Sequence, residues 1–131
     1  MKKTILFSLS ALLFSALLMS NGNNTARTTT VVAIKAAPAL EWHTDFEKAN
    51  KLSTKTGKPI FGFFTGSDWC GWCKRLQAAV FVKDDFKTWA DKNVILLELD
   101  FPRKTKLPAK LQQQNRELAQ LFKVRGYPTV W

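Results

Sequence analysis

The sequence predicts a single α/β domain, a sheet with helices packed on it, and three observations carry that expectation. Two short apolar runs, residues 60–64 and 94–99, are too brief for helices and suit strands covered on both faces. Amphipathic stretches stand before, between and after them, the alternation that packs helices against a sheet. The chain has 131 residues, 46% of them hydrophobic, which is enough for one core and no more.

The N-terminal segment stands apart from that domain. Lys2 and Lys3 precede an almost unbroken apolar run over residues 5–19, followed by the small and polar residues Ser20, Asn21 and Gly22. This is the pattern of a signal peptide over residues 1–22, and the run is short for a membrane span. The expectation is an exported, periplasmic protein; an uncleaved segment holding it at the membrane is the alternative. Residues 23–39, rich in Asn, Thr and Ala with Pro38 near the end, have no amphipathic period and read as a flexible linker. The folded domain is expected over residues 40–131.

Within it, Trp42 marks the entry. Phe46, Ala49 and Leu52 recur at helical spacing up to Gly57, then Lys58 and Pro59 lead into the first strand, expected at the centre of the sheet. Residues 65–68 form a polar turn in which Ser67 or Asp68 is expected to cap the next helix. That helix is expected over 70–82 with Leu76, Ala79 and Val80 inward, and Asp84 and Asp85 open another carrying Phe86, Trp89 and Ala90. Residues 103–110 form a basic, solvated loop, and a helix over 111–122 buries Leu118, Leu121 and Phe122. Gly126, Tyr127 and Pro128 turn the chain into a last strand at 129–131. Trp42 and Trp89 read as core, Trp69 and Trp72 as an apolar rim for unfolded substrates.

The chemistry concentrates at Trp69-Cys70-Gly71-Trp72-Cys73-Lys74. Two thiols three residues apart at a helix start share a face and lie within bridging reach. At the N-terminus, free amides and the positive end of the dipole favour a thiolate on Cys70, with Lys74 and Arg75 adding to the field. Cys70 is then the nucleophile that forms a mixed disulfide, and the more shielded Cys73 resolves it. Zinc calls for about four ligands, and the chain offers two Cys and the distant His43, so no metal is expected. A bridge over so short a loop restrains the unfolded chain little, which argues against a purely structural disulfide. Nothing brings His43 to Cys70 for hydrolysis. The net charge of +10 comes with no nucleic-acid reading motif.

With Gly-Tyr-Pro-Thr at 126–129 after the last helix, this motif resembles the thioredoxin superfamily. Residues 65–70 and Leu99-Asp100-Phe101-Pro102 resemble its exported bacterial branch. The resemblance covers residues 40–131 and implies a thioredoxin-like fold, with Pro128 as a cis-proline facing Cys70 and Cys73 and the Tyr127 backbone pairing with an extended substrate segment. Trp69, Gly71, Trp72 and Lys74 take supporting places. It implies a thiol-disulfide oxidoreductase with no cofactor, acting on protein disulfides or dithiols and exchanging electrons with a redox partner such as a membrane thiol relay. The alternative is a non-catalytic module that holds extended peptides in the cis-proline groove. Three departures stand out. Trp72 replaces the usual proline, leaving the direction of electron flow open. The strand before the cysteines lacks the usual acid, so proton transfer at Cys73 falls to water or another group such as Glu98. The family's last strand and C-terminal helix have no counterpart after Trp131, so the sequence reads as truncated there.

Overall fold

The computed structural model describes residues 36–131; the signal peptide expected over 1–22 and most of the linker expected over 23–39 lie outside the described residues. In chain order the elements are β1 (Trp42–His43), α1 (Phe46–Thr56), β2 (Ile60–Thr65), α2 (Gly71–Leu76) continuing as a π turn (Gln77–Phe81), α3 (Asp84–Asn93), β3 (Ile95–Asp100), α4 (Ala109–Leu121) and β4 (Thr129–Val130). α1 begins where the Asp45 carboxylate accepts the Lys48 amide and ends at Gly57, whose φ of 72° places it in the left-handed region that glycine enters without strain.

The four strands lie in the order β1-β3-β2-β4. β3 runs parallel to both β1 and β2, and β4 runs antiparallel to β2. β2 is therefore central, which is why its sequence is apolar without alternation. One face carries Ala49, Phe64, Leu97, Leu99 and Leu118, packed between the sheet and helices α1 and α4. The other carries Phe63, Cys70, Cys73 and Phe81, with Trp42, Phe61, Leu76 and Phe86 against them. The cysteines thus belong to the core of the second face.

Four expectations are corrected. The helix after the cysteines is not regular to residue 82: the Val82 amide bonds Gln77 O at 3.1 Å, five residues back. That wide turn shifts the inward position by one residue, so Ala79 and Val80 are exposed and Phe81 is buried. In α4 the inward stripe runs through Asn115 and Leu118 to Phe122, leaving Leu121 71% exposed. Trp89 is 46% exposed, laid on the outer side of Phe61 and Phe86 instead of in the core. Neither Ser67 nor Asp68 caps α2, for reasons given by the site.

Candidate redox site

α2 starts at the sulfur itself. Cys70 is the N-cap, and its Sγ accepts the Cys73 amide at 3.1 Å, the place that a Ser or Asp side chain usually takes. Cys70 and Cys73 are joined in a disulfide, with Cα atoms 5.3 Å apart. Cys73 is 0% exposed and Cys70 4%, so the sulfur expected to resolve is wholly enclosed and the one expected to attack keeps a small opening. Trp72, between them, is 69% exposed. Its ring lies under the Arg75 guanidinium at 4.8 Å. Gly71 has open space where a Cβ would stand, and Lys74 is exposed.

The loop before Cys70 is clamped to distant parts of the chain. The Ser67 amide and hydroxyl donate to the two oxygens of Asp100 at 2.8 and 2.6 Å. Asp68 accepts from the backbone amides of Arg103, Lys104 and Thr105, at 3.0, 2.7 and 3.2 Å on its nearer oxygens. The Arg103 amide bond, followed by those of Lys104 and Thr105, holds the Asp68 carboxyl below the ordinary range against a smaller opposing effect of burial. These partners explain the missing caps: both side chains are engaged with residues 100–105. The basic segment is accordingly part of the site. Its Arg103 guanidinium lies 3.8 Å over the Trp69 ring, while Trp69 Nε1 donates to Phe101 O at 2.8 Å.

Tyr127 completes the aromatic wall, meeting Trp69 edge-on at 5.8 Å and lying against Phe101 at 5.1 Å. It packs on the cluster that holds both cysteines, and its bond to Pro128 is cis. β4 pairs Thr129 with Phe64 and Val130 with Phe63; one step further along that register, Pro128 comes opposite Thr65. The expected residues Cys70, Cys73, Trp69, Tyr127 and Pro128 are thus gathered at the C-terminal end of β2. Glu98 lies on the same sheet face, in register with Phe63, and lines a cavity of about 180 Å³ with Trp42, Phe63, Gln77, Phe81 and Val82. Neither cysteine lines that cavity. Burial, with Asp100 as a lesser cause, raises the Glu98 carboxyl above its ordinary value.

Three features escaped the sequence reading: the Asp100 and Asp68 clamps, the inward Phe81, and Thr65, which is fully buried with no hydrogen-bond partner for its hydroxyl among the described residues. The polar turn residues signalled a cap, and the same chemistry serves contacts 33 to 37 residues away.

A helix-capping cysteine paired with an enclosed one, beside a cis-proline turn on an α/β sheet, defines a class of thiol-disulfide protein. Residues 46–131 match the thioredoxin-like domain family, and the chain belongs to that family. Among curated relatives it is 40% identical over 93 residues to the disulfide bond reductase DsbH of Chlamydia pneumoniae, covering 71% of this chain and 55% of the relative. It is 26% identical over 90 residues to the thioredoxin-related protein DsbJ of the same organism, covering 69% of this chain and 26% of that one. The chain therefore spans about half the length of the first of these relatives and about a quarter of the second. A solved DsbH oxidoreductase superposes with a TM-score of 0.68 at 37% identity, over 83% of this chain and 72% of that one. A thioredoxin from Thermus thermophilus, at 18% identity and a TM-score of 0.52 over 71% of this chain and 63% of that one, shares the fold.

Proposed function

We propose that this chain is a reductase of protein disulfides working outside the cytosol. The observation that carries the reading is the Cys70–Cys73 disulfide at the first turn of α2, with the nucleophile's position at the cap and the resolving sulfur fully enclosed. In the working direction the pair begins as a dithiol. The Cys70 thiolate attacks one sulfur of the substrate disulfide; the substrate S–S bond breaks, a Cys70–substrate bond forms, and one substrate thiolate leaves. The Cys73 thiolate then attacks Cys70 Sγ; the Cys70–substrate bond breaks, the enzyme disulfide forms and the second substrate thiolate leaves, so that the substrate has gained two electrons and the enzyme pair has lost two.

The reductive direction rests on the likeness to a disulfide bond reductase at 40% identity. An extended substrate segment is placed along the backbone at Tyr127, where the strand turns at Pro128, with exposed Trp72 offering an apolar surface. Electrons return to the pair from another thiol protein, with a membrane relay the fitting source for an exported protein. The exported location rests on the lysines and apolar run of residues 2–19.

Replacing the resolving cysteine tests the division of labour. Cys73→Ser, reduced and mixed with disulfide-bonded insulin, is expected to accumulate a stable mixed disulfide that mass spectrometry maps to Cys70. A variant that binds insulin with no covalent adduct overturns the enzyme reading in favour of a peptide-holding module.

A further inference from the structure

Thr65 is the residue of the site that the thiol exchange above leaves unused. It ends β2, is 0% exposed, and its Oγ1 has no hydrogen-bond partner among the described residues. Buried hydroxyls are almost always paired, and a valine of the same shape would fill the space with no polar atom to satisfy. Its position says what the hydroxyl is for. Phe61 and Phe63 pack in the cysteine cluster while Ile60 and Phe64 pack in the opposite one, so strand alternation puts the Thr65 side chain on the cysteine face. Asp100 stands beside it on β3 and, by continued register, Pro128 on β4. The Asp100 carboxylate is already engaged by Ser67 through both its oxygens.

We propose that Thr65 is a positioning residue for the redox pair, its hydroxyl donating a hydrogen bond to the Cys73 sulfur when the pair is reduced. In the disulfide, neither sulfur accepts from this hydroxyl, which is left idle in an apolar site. Reduction leaves a thiol or thiolate on Cys73, enclosed among Phe63, Phe81 and Tyr127 with no water-facing side. A charged sulfur there needs a donor, and a hydrogen bond to an ionised acceptor is the stronger kind. The Cys70 sulfur already has the Cys73 amide at the cap; the enclosed sulfur is the one left to serve. No proton or electron passes through Thr65: it holds the Cys73 thiolate ready to attack Cys70 Sγ, and it stabilises the dithiol form over the disulfide.

The consequence has a sign. Removing the hydroxyl takes a bond from the reduced form and an unpaired polar group from the oxidised form, so both effects favour the disulfide. Thr65→Val is expected to shift the dithiol-disulfide equilibrium about tenfold toward the oxidised form, equivalent to about 30 mV more negative. Thr65→Ser, which keeps the hydroxyl, is expected to stay within about twofold of the natural chain. The measurement is equilibration of the full chain with defined ratios of reduced and oxidised glutathione, read by thiol alkylation and mass. Thr65→Ala serves as a second hydroxyl-free variant should the valine misfold. Hydroxyl-free variants with an unchanged equilibrium, or a serine variant shifted as far as the valine, overturn the proposal. This inference rests on the redox reading of Cys70 and Cys73 but is read as a difference from the natural chain; a pair that fails to equilibrate with glutathione at all overturns that reading instead.

Discussion

At the scale of single residues, the site was legible where its chemistry is local. Cys70 and Cys73 are legible from a spacing of three residues, which brings two side chains together on a helix, together with the Tyr127-Pro128 turn that follows them in the sequence. Ser67 and Asp68 are not, because a short polar side chain before a helix has the same appearance whether it caps that helix or reaches a strand end and loop more than 30 residues on. Gly66 is of the second kind: a Cβ there would stand 2.4 Å from Trp69 Cε2, so the glycine exists for the indole packed on it. Glu98 yields a prediction at this scale. Its folded carboxyl titrates above the ordinary 4.5 because of burial, with Asp100 adding to it. The fold therefore holds a proton there that the unfolded chain releases, and this contribution to stability, full below 4.5, is lost as pH rises through the folded value. Denaturant midpoints taken from about pH 4 to about pH 8 are expected to fall less with pH in Glu98→Gln than in the natural chain. Parallel curves for the two proteins would contradict that assignment.

At the scale of elements, periodicity located α1 and α3, and short unbroken apolar runs located both long strands. The helix after Cys73 obeys two repeats. Its α-helical repeat points to Val80, and the π turn hands the inward place to Phe81, which meets Phe63 edge-on at 5.0 Å and lies against Phe86 at 4.8 Å. The offset is set by those ring contacts across the sheet and helices, so no local pattern encodes it. Phe81→Ala is expected to lower unfolding stability by about 3–5 kcal/mol, whereas Val80→Ala is expected to change it by about 0.5 kcal/mol or less. Equal losses in urea unfolding would mean that the inward position is not Phe81. β1 is the element with no signal at all: two residues carry no period, and Trp42 and His43 become a strand only by pairing with Leu96 and Leu97 of β3.

At the scale of the whole molecule, the fold class followed from the alternation of elements, and the order β1-β3-β2-β4 from how those elements pair. That order puts β2 in the middle, and the end of β2 is where everything reactive meets: the cap at Cys70, the turn at Pro128, the clamps through Asp100 and Asp68, and the buried hydroxyl of Thr65. The basic charge read from sequence as a solvated loop is partly drawn into this assembly, with Arg103 on Trp69. What the alternation of elements does not contain is the poise of the pair, because potentials in this class span about −270 to about −120 mV on one architecture. On the proposed reductase function the pair is a reductant, and its reduction potential is the most direct test. Equilibrated with glutathione, the Cys70–Cys73 pair is predicted to lie more negative than about −180 mV, on the thioredoxin side of the range. A value near −120 mV, where the dithiol is stable and the disulfide the reactive form, would contradict it.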